Sequence, residues 1–190
     1  PMFEQARQGP QNPFHAWFVW SDAKPAGWDI WGVDPWYHTA SEPWAFRGDL
    51  KTLQRPPADA TGFYFGTFGP HMPDFNFRHP AVKAYHFDSL RFWLNRGLDG
   101  FRLDAVPHLV ENSATDWNDQ PESRRITKQV QDLIRSYPRR YVVCEATAQP
   151  VDYGEPALCG GAFAFGYVQH LVGAALGQPD AVQQLAAYYR

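Results

Sequence analysis

From Pro80 onward the chain alternates segments of helical period with short segments of strand period, and two of those strands run into a carboxylate. AVKAYHFDSLRFWLNRG (81–97) sets Val82, Tyr85, Leu90, Trp93 and Leu94 near helical spacing, with Pro80 at its start and Gly97 as its stop. DGFRLDAV (99–106) follows as a strand, with Phe101, Leu103 and Ala105 alternating against Arg102 and Asp104. SRRITKQVQDLIRSY (123–137) is a helix with Ile126, Val130, Leu133 and Ile134 on one face, and YVVCEA (141–146) is an apolar strand ending in Glu145. AFAFGY (162–167) is expected as a third strand and AVQQLAAYY (181–189) as a closing helix. This order predicts an α/β architecture, a parallel sheet wrapped by helices. In such sheets chemistry gathers at the carboxyl ends of the strands, where Asp104 and Glu145 both fall.

Residues 1 to about 80 differ. Gly and Pro punctuate them every few positions, which suits loops and short strands, with FYFGTF (63–68) and HAWFVW (15–20) expected as strands. The whole chain of 190 residues carries eight Trp, nine Tyr and 14 Phe. So many rings serve either as ordinary core material or as a cleft that stacks flat apolar faces, as sugar-binding clefts do.

Charge and composition exclude several classes. A net charge of −3 lacks the basic excess of a nucleic-acid binder. No apolar run approaches the roughly 18 residues of a membrane span, and the opening PMFEQARQGPQNPF shows no signal-peptide pattern. Cys144 and Cys159 fit reduced thiols of a cytoplasmic protein, with a single bridge as the alternative. A metal-dependent hydrolase built on His71, His79, His86, His108 and Asp104 finds no support in their spacing, which matches no metal signature.

Arg102 and Asp104, two apart on a strand, leave the same face. A guanidinium beside a carboxylate keeps it ionised, as a glycosidic nucleophile must be. Glu145 follows Val142, Val143 and Cys144, and desolvation among such neighbours favours the protonated form that suits a general acid. Two carboxylates with separated roles facing one cleft make a glycosidase pair. The competing reading is a plain Arg102–Asp104 salt bridge with Glu145 capping a helix, and spacing alone leaves both open.

The motifs themselves carry a resemblance. DGFRLDAVPH (99–108) resembles the fourth-strand motif of the α-amylase family of glycoside hydrolases, and YVVCEA (141–146) resembles its fifth-strand motif. HMPDFNF (71–77) is similar to the family's short motif near the end of the domain inserted after the third barrel strand. The opening stretch resembles the inserted domain of α-glucosidases and trehalose synthases. The resemblance implies a partial TIM (β/α)8 barrel, about strands 4–6 with their helices, over 79–190, and a loop-rich inserted domain over 1–78.

It further implies a retaining mechanism on α-linked glucosides such as maltose, trehalose or short maltooligosaccharides. Asp104 would be the nucleophile, Glu145 the acid/base, and Arg102 the residue that holds Asp104 ionised and in register. His108 would contact sugar hydroxyls beyond the scissile bond, and small Ala105 would go with α-1,4 or α,α-1,1 linkages rather than α-1,6. Asp74 and Asn76 would serve turn-stabilising hydrogen bonds or substrate contacts. The two catalytic carboxylates would lie about 5–5.5 Å apart. No cofactor is implied beyond calcium, which some members bind near the inserted domain and whose ligands the residues here do not assign.

Two further family motifs, on the third and seventh strands, are not found in this chain, and the second carries a carboxylate that stabilises the transition state. The resemblance therefore implies a fragment that is inactive alone, with self-association or the missing barrel segments covering its open edges. A non-catalytic carbohydrate-binding or assembly remnant is the alternative.

Overall fold

A computed structural model describes residues 2–40, 62–165 and 167–188. In the first part, the helix α1 (Met2–Ala6) leads into a 3-10 turn at His15–Trp17. Three short strands follow, β1 (Trp20–Ser21), β2 (Trp36–His38) and β3 (Phe63–Phe65). They form an antiparallel sheet in the order β1-β3-β2, with Trp20 opposite Tyr64 and Trp36 opposite Phe65. The strand expected at 15–20 is thus mostly a 3-10 turn, and that at 63–68 stops at Phe65. Chain reversal begins at Gly66, where a Cβ would press to 2.7 Å on the Gly69 carbonyl. Part of the aromatic load serves here as core. Phe3, Phe18 and Tyr64 form one buried cluster, and Ile30, Trp36 and Phe65 another.

The regular part begins with α2 (Pro80–Leu94), where Pro80 opens the helix and His79 Nδ1 accepts from the Ala81 N–H at 3.2 Å. Two strands, β4 (Gly100–Leu103) and β5 (Tyr141–Cys144), flank the crossover helix α3 (Pro121–Arg135). They pair in parallel with Arg102 opposite Val143 and Leu103 opposite Cys144. At Gly100 a Cβ would collide with the Tyr141 carbonyl, so only glycine admits so close an approach. Three short helices follow: α4 (Pro150–Gly154), α5 (Tyr167–Ala175) and α6 (Ala181–Tyr188).

The core of this part joins Leu94 of α2, Ile134 of α3, Val142 and Cys144 of β5, Tyr153 of α4 and Cys159. Each such large apolar side chain contributes roughly 1.5–3 kcal/mol on burial. The expected apolar face of α3 is present, with Ile126 and Ile134 buried and Val130 and Leu133 packed against the core. On α2 the face is narrower than its spacing suggests. Val82 and Leu94 are buried, whereas Tyr85, which meets the Trp17 ring at 5.7 Å, and Trp93 are exposed.

Two expectations change. The third strand at 162–167 contracts to a single parallel bridge, Cys144 to Ala162, and Tyr167 already belongs to α5. Cys144 and Cys159 form a disulfide rather than standing as reduced thiols. Both cysteines lie fully buried in one core cluster, which brings together residues 15 apart in sequence. Among the described residues no helix is long and apolar enough to cross a membrane.

Candidate functional site

The β4–β5 pair delivers its carboxylates to one place because parallel strands in register end side by side. The Glu145 N–H donates to the Leu103 carbonyl at 2.8 Å, and the Val106 N–H donates to the Glu145 carbonyl at 3.1 Å. The main chain of Glu145 is thereby fastened to the strand that carries Asp104. On its other side β5 is held by the Cys144 N–H donating to Gly161 O (2.9 Å) and the Phe163 N–H donating to Cys144 O (3.1 Å).

Arg102 links the two acids. Its Nη1 lies 2.6 Å from Asp104 Oδ1, and its Nη2 pairs with Glu145 Oε2. The sequence expectation gave Arg102 to Asp104 alone; the guanidinium instead spans both carboxylates. Exposure grades across this triad: the Asp104 side chain is 69 % exposed, Arg102 50 % and Glu145 23 %. Glu145 is the most enclosed of the three, between the buried Cys144 and Ala146.

Ala105 does not continue the strand. It sits in the left-handed region (φ 47°, ψ 39°) and turns the chain into a 3-10 turn, Val106–His108. The alternation that read as strand through 106 ends at Leu103, since a left-handed residue cannot extend a ladder. This turn buries His108 rather than leaving it on an open wall. Its imidazole stacks on Trp117 at 5.6 Å and meets Trp31 and Phe68 edge-on at 5.3 and 5.7 Å. Nε2 lies 3.3 Å from Thr147 Oγ1, while Nδ1 is buried with no hydrogen-bond partner among the described residues. Burial holds the His108 pKa below the usual histidine value, so the ring is neutral at pH 7. Trp31 and Phe68, from the first part of the chain, keep exposed faces beside it, Trp31 at 60 %.

Asp74 and Asn76 spend their side chains on turns. Asp74 accepts from the Thr67 N–H (3.2 Å) and hydroxyl (2.7 Å), and Asn76 accepts from the Arg78 N–H (3.1 Å). Sequence reasoning missed Glu111. Burial, and the charge of Asp74, push its carboxyl up to about 7, and burial pushes Asp74 to about 6. No group of three or more His, Cys, Asp or Glu side chains converges as a metal cluster among the described residues, the five proposed for a metal hydrolase included.

Residues 1–174 match the family model "Alpha amylase, catalytic domain". The chain belongs to the α-amylase family. Among curated relatives, the trehalose synthase/amylase TreS of Mycobacterium tuberculosis is 35% identical over 163 residues, 82% of this chain and 25% of that protein. Maltase A2 of Drosophila melanogaster is 33% identical over 115 residues, 60% of this chain and 19% of the relative. The chain thus spans a quarter or less of these relatives. Among solved structures, the α-glucosyl transfer enzyme XgtA superposes with a TM-score of 0.72 at 24% identity, over 98% of this chain and 38% of that one. Trehalose-6-phosphate hydrolase of Bacillus licheniformis superposes with a TM-score of 0.71 at 18% identity, over 89% of this chain and 31% of that one. These place the fold as part of the family's TIM barrel, with no closed barrel among the described residues.

Proposed function

We propose that this chain supplies the nucleophile and the acid/base of a retaining enzyme that cleaves or transfers α-linked glucosyl groups. One observation carries the reading: a single guanidinium, Arg102, holds Asp104 and Glu145 together at the carboxyl ends of two paired parallel strands. Asp104, the more exposed, attacks the anomeric carbon as the bond to the leaving oxygen breaks, and Glu145 gives that oxygen its proton. Glu145 then takes a proton from water, or from a second sugar hydroxyl, as the incoming oxygen displaces Asp104. Water gives hydrolysis and a sugar hydroxyl gives transfer.

On the substrate side, the open faces of Trp31 and Phe68 suit stacking against a pyranose, and the buried His108 on which they pack backs that wall. Maltose, trehalose and short maltooligosaccharides are the substrates this reading proposes. Residues 1–78 act as the inserted wall of the cleft and 79–190 as the barrel portion. The bare side of α2 (Tyr85, Phe92, Trp93) and the exposed Val168, Leu171 and Val172 of α5 are covered by further barrel segments or by a second copy.

The described residues do not fit calcium. Asp74 and Glu111 are two carboxylates where about six to eight oxygen ligands are needed, both Asp74 oxygens already accept from Thr67, and no third His, Cys, Asp or Glu joins them among the described residues.

The test is turnover of maltose and trehalose by the whole enzyme that contains this chain, compared with its Glu145→Gln variant. Loss of cleavage is expected. Full turnover by the variant sinks the assignment. Sugar-dependent tryptophan quenching without any turnover by the unaltered protein supports the alternative, a carbohydrate-binding remnant.

A further inference from the structure

The loops that follow β4 and β5 carry the catalytic groups, and both contain backbone that needs holding. Asp119, in the first, and Gln149, in the second, adopt left-handed φ values of 50° and 49°, as Ala105 does at 47°. Non-glycine residues persist there only where their surroundings fix them. Arg124, on α3, touches both loops. Its Nε and Nη2 grip the Asp119 carboxylate at 2.8 and 2.7 Å, a two-pronged pairing. The same Nη2 reaches Asp152 Oδ2 at 2.9 Å, in the helix α4 directly after Gln149.

Each contact leads inward. The Asp119 N–H donates to the Pro107 carbonyl at 2.7 Å, three residues past Asp104. The buried Tyr153, next to Asp152, donates its hydroxyl to Asp119 Oδ1 at 3.1 Å. Between them the loops meet at Val106 N to Glu145 O and at His108 to Thr147. The guanidinium therefore closes a loop-to-loop brace whose inner face carries Asp104 and Glu145.

We infer that Arg124 is a positioning residue for the reaction, clamping the β4 and β5 loops so that Glu145 is aimed at the leaving oxygen while Asp104 faces the anomeric carbon. The inference rests on the proposed glycosidic function. It acts through Asp119 and Asp152 and touches no substrate. Arginine is needed rather than lysine, because one planar fork must serve two carboxylates at once.

The test separates aim from stability by leaving-group chemistry. Maltose needs a proton on its departing oxygen, whereas a dinitrophenyl α-glucoside expels an anion stable enough to leave unprotonated. In the whole enzyme, Arg124→Gln should lower kcat/KM on maltose by about tenfold to a hundredfold. On the dinitrophenyl glucoside it should lower it by less than about threefold, the selectivity that Glu145→Gln shows more strongly. Arg124→Lys should fall between. Asp152→Asn, which removes one exposed contact, gives a milder form of the same selectivity if Arg124→Gln does not fold. An equal loss on both substrates, or no loss, overturns the inference while Glu145→Gln keeps its selectivity. An unaltered enzyme that cleaves neither glucoside overturns the function on which it rests.

Discussion

Breaking the Cys144–Cys159 bond should cost stability while leaving the site in place. The bond joins residues 15 apart, and closing a loop of that size removes about 10 cal/mol/K from the unfolded chain, or about 3 kcal/mol at 25 °C. In the folded state the strand does not depend on the bond. The Cys144 main chain is held by Gly161 and Phe163, and the Glu145 main chain by Leu103 and Val106. Urea unfolding of the chain, followed by tryptophan fluorescence with and without a phosphine reductant, reads the difference. With a typical slope of about 2 kcal/mol per molar urea, the midpoint should fall by about 1.5 M on reduction. The double variant Cys144→Ala, Cys159→Ala should match the reduced chain and ignore the reductant. An unchanged midpoint from a chain shown by mass to start oxidised refutes the loop-entropy argument. Two thiols alkylated without reductant refute the bond itself.

Two further outcomes follow from the site. Ala105→Val forces a β-branched residue to φ 47° and should cost about 1–2 kcal/mol in thermal or urea unfolding; Ala105→Gly should lie within about 1 kcal/mol of the parent, and an undiminished Val variant removes the strain argument. Asp74 and Glu111 have folded pKa values above their unfolded ones, so the folded state keeps protons that the unfolded state loses as pH rises from about 4 to about 7. Stability from this pair should therefore decline across that window, by an amount on the order of 6 kcal/mol. Glu111→Gln should flatten the decline relative to the parent in urea titrations at successive pH values, and parallel profiles would exclude it.

What the sequence disclosed was local. Pro80 and the spacing of Ile126, Val130, Leu133 and Ile134 located α2 and α3, and short apolar runs located β4 and β5. The joint position of Asp104 and Glu145 followed from strand order alone. What stayed hidden depends on partners distant in sequence. His108 is enclosed by Trp31 and Phe68, which come from far upstream, so its burial could not be read from PHLV. Glu111 sits in an unremarkable loop, and only its burial in the folded chain, with Asp74 near it, marks it. AFAFGY has strand composition, yet it supplies one bridge before α5 takes over at Tyr167. The bend at Ala105 was invisible because alanine gives no signal for a left-handed turn.

The bridge between Phe18 and Phe75 has a bearing on how such a protein can change. Their rings stack at 4.9 Å, and next to them the Asn76 N–H donates to the Trp17 carbonyl at 2.7 Å. Everything between departs from and returns to one point on the molecule. A stretch anchored in that way can be lengthened, shortened or exchanged at a cost that grows only slowly with its length. Trp31 and Phe68, which stand beside His108, both belong to it. The exchange of one cassette would therefore replace the aromatic side chains beside His108 and leave β4 and β5, which lead into Asp104 and Glu145, as they are; under the proposed function this is a route by which one frame is refitted for different sugars.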